Sequence, residues 1–100
     1  MVLKLVPVGL PRPVAEELIH RLAREGKVSW EADFTRKLLQ REFSMRQVLE
    51  TLKGGSINQG PNKDEYGDWR CRVKRRVAGK LVRVVVAIND ESLLILVSVH

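Results

Sequence analysis

Disulfides are excluded at once, because Cys71 is the only cysteine in the chain. A reducing cytoplasm is the expected setting. Metal is the next absence: His20 and His100 lie far apart, and no Cys/His spacing suits zinc. There is no Walker-type or Rossmann glycine pattern, so no cofactor is expected. No apolar run reaches the roughly eighteen residues a membrane helix requires. The opening MVLKLVPVGLP is too short, and too soon broken by proline, for a secretory signal. Internal repeats and low-complexity tracts are also missing. What remains is a chain of 100 residues, the size of one compact domain over residues 1–100, with 44% hydrophobic residues to build a core.

One further absence is local. From Trp69 to Arg83 there is no acid, but there are seven cations: Arg70, Arg72, Lys74, Arg75, Arg76, Lys80 and Arg83. The net charge of the whole chain is only +6, so this stretch accounts for the excess. The first half holds nine basic and seven acidic residues, the second half nine and five. Arg70, Arg72 and Lys74 alternate with Trp69, Cys71 and Val73. On a strand, successive side chains point to opposite faces, so this spacing predicts one cationic and one apolar face. A row of cations suits a polyanion, RNA being the commonest. A solvated strand face that only keeps the protein soluble has the same spacing.

Element signals follow along the chain. Val2 to Val8 is a short β-prone run closed by Gly9. Ala15, Leu18, Ile19, Leu22 and Ala23 recur at helical spacing, with Gly26 as terminator and His20 on the solvated side. Val28 to Trp30 reads as a short extended segment or as the lead into a second helix, which Ser29 could cap. Phe34, Leu38 and Leu39 give that helix its stripe. Ser44 and Gln47 form a capping box for a third helix, stopped by Gly54-Gly55. Ser56-Ile57 reads as a brief strand and Asn58 to Asp68 as a turn-rich loop, in which Tyr66 is an ordinary loop residue or a stacking platform. Three strands follow, Trp69–Val77, Lys80–Ile88 and Leu93–Val99, with turns at Ala78-Gly79 and Asn89–Ser92. The expected class is α+β: two or three helices on a three- to four-stranded, mainly antiparallel sheet.

This order resembles the MqsR-type toxins of bacterial toxin–antitoxin systems, which belong to the RelE superfamily of mRNA-cleaving endoribonucleases. Leu18–Val28 is similar to that family's first helix and glycine stop, and Leu38–Leu52 to its middle helices. Trp69 with Arg70 and Val73 resembles its strand opening, Val77–Lys80 its hairpin, and Leu94–His100 its last strand. Phe34-Thr35, Leu38, Arg41, Phe43-Ser44, Val48-Leu49, Leu52 and Gly54 or Gly55 also resemble the outline of a related set of uncharacterised toxin-like domains. The resemblance implies a RelE-like fold, cleavage of RNA without metal, and a cognate antitoxin as partner. Four family positions then matter. Arg70 stands where those toxins have a glutamine and His100 where they have a lysine. Their tyrosine falls near Val82 and Arg83, and their loop lysine near Asn58, with Lys63 close by.

Cleavage of that type needs a base for the ribose 2′-OH, an acid for the leaving 5′-oxygen, and cations for the charge on phosphorus. His100 is the candidate acid/base, because its ordinary pKa lies near neutrality. Arg70 and Arg83 are the candidate catalytic cations, since a guanidinium offers phosphate two donors. Arg70, Arg72, Lys74, Arg76, Lys80, Arg83 and Lys63 form the candidate nucleic-acid-binding set. Cys71 and Trp69 read as core residues. Binding of RNA, DNA or an acidic protein without cleavage is the alternative function.

Overall fold

The computed structural model describes residues 9–100; the run expected to form a strand over Val2–Val8 lies outside the described residues. The elements are α1 (Arg12–Arg24), β1 (Val28–Trp30), α2 (Phe34–Arg41), α3 (Met45–Gly54), β2 (Ser56–Lys63), β3 (Trp69–Val77), β4 (Lys80–Asn89) and β5 (Leu93–Val99). The α+β class agrees with the sequence. The layout is fuller: three helices and a five-stranded mixed sheet in the order β1-β5-β4-β3-β2. β1 lies parallel to β5, and the other pairs are antiparallel.

Two expectations are corrected. Ser29 does not cap α2; it sits inside β1, and Asp33 holds the N-cap position. Pairing with Leu94–Leu96 satisfies several backbone groups on the β5 edge, where one cap satisfies a single donor. The loop expected over Asn58–Asp68 begins later, because β2 pairs with β3 as far as Lys63 opposite Trp69. Register shifts around Asn58 and around Gly60-Pro61 erase the two-residue alternation that would have marked a strand.

The helices form where the apolar stripes predicted them, except that Leu39, read as part of the stripe of α2, is 81% exposed and only Phe34 and Leu38 of that helix are buried. α1 buries Ala15, Ile19, Leu22 and Ala23 and closes at Gly26, whose φ is +72°. α3 opens with the expected capping box: the Gln47 N–H donates to Ser44 Oγ at 3.1 Å, and the Ser44 N–H donates to Gln47 Oε1 at 2.8 Å. Such a cap contributes about 1 kcal/mol. His20 is not a free surface residue; its ring N–H donates to the Gly55 carbonyl at 2.7 Å, tying α1 to the end of α3. Two more side chains of α1 hold the outer strand. Glu16 accepts from the Ile57 N–H at 2.7 Å, and Arg12 donates to the Gly60 carbonyl at 3.0 Å. The edge of β2 is thereby occupied, which blunts its pairing with another chain.

All of the core lies on one side of the sheet. Phe34, Ile19, Leu22 and Leu52 from the helices pack against Val73 of β3, Val84 and Val86 of β4, and Leu94 and Leu96 of β5. The β3–β4 hairpin turns at Ala78-Gly79 with φ of +52° and +79°, the primed geometry that matches strand twist. The side chains of the opposite sheet face do not belong to this core.

Candidate nucleic-acid interface

Alternation along β3 divides its residues as the sequence predicts. Cys71 and Val73 are buried in the core, while Arg70, Arg72, Lys74 and Arg76 share the face without helices. The register supplies their neighbours. Arg70 lies opposite Ala87, Arg72 opposite Val85, Lys74 opposite Arg83, and Arg76 opposite Leu81. From the other side, Asn62 pairs with Arg70, Gln59 with Arg72, and Ser56 with Lys74. Three rows therefore cross the open face: Asn62–Arg70–Ala87, Gln59–Arg72–Val85 and Ser56–Lys74–Arg83.

The third row ends on His100. Its N–H donates to the Arg83 carbonyl at 2.8 Å, and the Arg83 N–H donates back at 2.8 Å. A one-residue bulge decides which face the imidazole takes. Val85 pairs with Ser98 and Val86 with Leu96, so Val97 is the extra residue. Val99 returns to the core opposite Val84, and His100 falls on the arginine face. The ammonium of Lys37, from α2, donates to the Val97 carbonyl at 3.0 Å and satisfies the acceptor that the bulge leaves over.

This setting lowers the His100 pKa from its ordinary value. Partial burial is the main cause; the positive charges of Arg72, Arg41 and Arg83 add to it, and a backbone hydrogen bond opposes them. The shift favours the neutral imidazole, the form that accepts a proton. The three arginines around it provide donors for a phosphate and its developing charge. Cys71 offers no second nucleophile, because burial pushes its thiol up to about 11 against a smaller opposing effect of Arg12.

The cations are not equivalent. Arg70 is partly neutralised by Asp64 at 3.7 Å, a carboxylate that also caps the turn at the Tyr66 and Asp68 N–H groups. Arg72, Lys74 and Arg83 have no carboxylate within 4.0 Å among the described residues. Arg76 donates to the Gly79 carbonyl and stays at the hairpin end. Lys63 and Lys80, expected in the same binding set, lie apart from this cluster. Lys63 pairs with Trp69 and sits over its ring at 5.4 Å, on the helix side. Lys80 lies over Phe43 at 4.4 Å and donates to the Glu42 carbonyl. Arg75 also takes the helix side, where it meets Glu50. Val82 is wholly buried, and Tyr66 stands 77% exposed outside the sheet.

Four contributors escaped the sequence reading: Gln59, Asn62, Lys37 and Arg41. Gln59 and Asn62 line a cleft of about 220 Å³ together with Arg70, Arg72, Cys71 and Val85. The bulges of β2 turn both amides to the open face. Gly60 makes the second bulge possible: its φ is +89°, and a Cβ there would meet the Arg70 carbonyl oxygen at 2.5 Å. A Gly-Pro pair inside a polar strand was the available signal. Arg41 ends α2 and carries no sequence mark of its own.

Comparison with curated proteins finds no match. A family model does match, over residues 30–100, and it is described as a domain of unknown function, DUF4258. That span takes in α2, α3 and every strand from β2 to β5, the elements that build the open face and the bulge beneath His100. With more than half of its length covered, the chain belongs to the DUF4258 family.

Proposed function

We propose that the open sheet face binds single-stranded RNA and cleaves it without metal, as an mRNA-cleaving toxin neutralised by a cognate antitoxin. One observation carries this reading: the imidazole of His100 stands on the face of Arg72 and Arg83, and the charges of these two and of Arg41, with partial burial, lower its pKa. The resemblance to MqsR-type toxins and their RelE-like fold supplies the reaction class. His100 takes the proton of a ribose 2′-OH, and that oxygen attacks the adjacent phosphorus. The bond to the 5′-oxygen breaks as His100 returns the proton to it. The products are a 2′,3′-cyclic phosphate and a 5′-OH. Arg83 and Arg72 bear the charge on the phosphorane, and Arg70, relieved of Asp64, assists. Loss of one such donor elsewhere costs about 3–4 kcal/mol, so these cations govern the rate as much as the base does.

A second reading rests on a separate observation. The one carboxylate that an open-face arginine meets among the described residues, Asp64, is tied to Arg70 and to the Tyr66 and Asp68 N–H groups, so it is not free to act as a second acid/base beside His100. Binding of RNA, DNA or an acidic protein through the same arginines, without cleavage, fits that arrangement. Incubation of end-labelled RNA with the purified protein in EDTA separates the two. Cyclic-phosphate ends that vanish with His100→Ala and Arg83→Ala support cleavage. Salt-sensitive binding with intact RNA leaves the binding function. Induced expression adds a cellular measure: growth arrest lost in the same variants supports a toxin.

A further inference from the structure

We infer that the cleft between β2 and β3 holds one unpaired nucleobase and selects guanine or uracil, which carry an oxygen (O6 or O4) where adenine and cytosine carry an amino group; this rests on the RNA reading above. Its dimensions come first. At about 220 Å³ the cleft is below the ~300–1,000 Å³ of a site for a drug-sized ligand, so it takes a fragment such as one base. Its chemistry comes next. Nε of Arg70 and Nε of Arg72 are shielded from solvent and have no hydrogen-bond partner among the described residues. A desolvated donor without an acceptor is a standing cost; because both atoms are closed to solvent, a ligand acceptor relieves it only as each guanidinium turns toward the cleft. Arginine meets the carbonyl and ring acceptors of guanine in the commonest of all base contacts. The Gln59 and Asn62 amides each add a donor and an acceptor, and the acceptors suit the ring N–H of guanine or uracil. Adenine and cytosine set an amino group where those two bases carry the oxygen. Against the arginines an amino group faces donor to donor. Val85 supplies an apolar wall, and guanidinium planes stack on bases.

The cleft and His100 are joined by Arg72, which lines the first and acts on the second. A base seated between Gln59 and Asn62 would fix the register of the strand relative to Arg83 and His100, one row along the sheet. Selection at the cleft would thereby choose which phosphodiester meets the imidazole.

Fluorescence anisotropy with 2′-O-methyl heptamers tests this, because such strands lack the attacking hydroxyl and stay intact. The background is cytidine and the central base is G, U, A or C. The expected result is binding of the G and U strands about tenfold tighter than the A and C strands, the scale of one good base contact. Gln59→Ala and Asn62→Ala together reduce that ratio to about twofold or less by loss of the same contact. Arg72→Lys keeps the charge and loses Nε, so it removes the preference while the A and C strands keep most of their affinity. Arg83→Ala weakens all four alike. Thermal melting of each variant checks that the fold is kept. Equal, salt-sensitive binding of all four strands overturns the base pocket and leaves the RNA reading standing. A preference that survives the Gln59, Asn62 and Arg72 variants also overturns it. Binding of none of the strands overturns both.

Discussion

The two faces of this sheet are made from the same strands, yet they treat charge in opposite ways. On the helix-covered face, cations stand at the margins and have partners. Arg75 meets Glu50 at 3.9 Å and the Glu50 carbonyl at 2.7 Å, and Lys80 caps the Phe43 ring and the Glu42 carbonyl. On the open face, Arg72, Lys74 and Arg83 lie in adjacent rows with no carboxylate partner among the described residues, while Arg70 has Asp64. The helix-side cations complete the fold. Those on the open side repel one another across β3 and β4 and gain nothing until an anion arrives. Counting arginines along the sequence merges two populations that the strand pleat keeps apart.

The largest effects should fall on the covered side. Leu96→Ala removes a wholly buried side chain, and urea denaturation should show a loss of about 2–5 kcal/mol. Arg72→Ala and Arg83→Ala should lie within about 0.5 kcal/mol of the parent, or slightly above it as repulsion is relieved. In RNA titrations the order reverses. Each open-face arginine that touches a phosphate should reduce the salt slope by about 0.7, the single-strand value per contact, while Leu96→Ala should leave it unchanged at temperatures where the protein stays folded. Open-face truncations that destabilise like core truncations would erase the distinction.

The join between the faces is the Val97 bulge, and Lys37 is its fastener. Lys37→Met keeps the alkyl stem and removes the donor to the Val97 carbonyl, leaving a partly buried acceptor unsatisfied. The expected loss is about 1 kcal/mol, with faster amide exchange at Val99 and His100. Since the bulge sets the parity of His100, RNA cleavage should fall further in this variant than in Arg36→Met. Arg36 belongs to the same helix and pairs only with the surface residue Asp33.

How much of this was legible in the sequence follows from where periodicity survives. β3 carries an unbroken alternation from Trp69 to Val73, so its two faces could be read directly, and the hairpin announced itself at Ala78-Gly79. β2 has two register shifts and β5 one, and each shift inverts the side on which later residues fall. Gln59 and Ile57 have the same parity in the sequence, yet Ile57 is buried in the core and Gln59 lines the open cleft. His100 and Leu96 have the same parity too, and the Val97 bulge puts them on opposite faces. β1 was hard to read for a different reason: three residues pair in parallel with a strand more than sixty positions away, and no local pattern encodes that. The three helices were legible because their apolar stripes, and the capping box of α3, are local properties; the cap of α2, read at Ser29, was misplaced.

The pH response sharpens the contrast through a single group. The native pKa of His100 lies below its ordinary value of 6.5, so the folded state binds this proton less well than the unfolded chain does. The corresponding stability is fully present above about pH 6.5 and is lost as pH falls toward the native pKa. RNA should act the other way, because phosphate beside the imidazole favours its charged form. Affinity should therefore rise as pH falls below about 6.5, by less than tenfold, with proton uptake on binding. If His100 is the base, cleavage should fall over the same range while binding improves. His100→Gln should flatten both profiles, as read by anisotropy and calorimetry in buffers of different ionisation enthalpy. Parallel profiles in parent and variant would remove His100 from the interface.

The smallest effect should come from the best-paired cation on the covered face. Arg75 and Glu50 have side chains 42% and 45% exposed, so water screens their attraction. A double-mutant cycle with Arg75→Ala and Glu50→Ala should return a coupling of about 0.2–1 kcal/mol, falling with added salt. The hydrogen bond from Arg75 to the Glu50 carbonyl survives in Glu50→Ala, so Arg75→Ala should cost more than Glu50→Ala. RNA affinity should be unchanged in Glu50→Ala. A drop there would mean that the helix side also contacts the nucleic acid, and that strand parity alone does not define the interface.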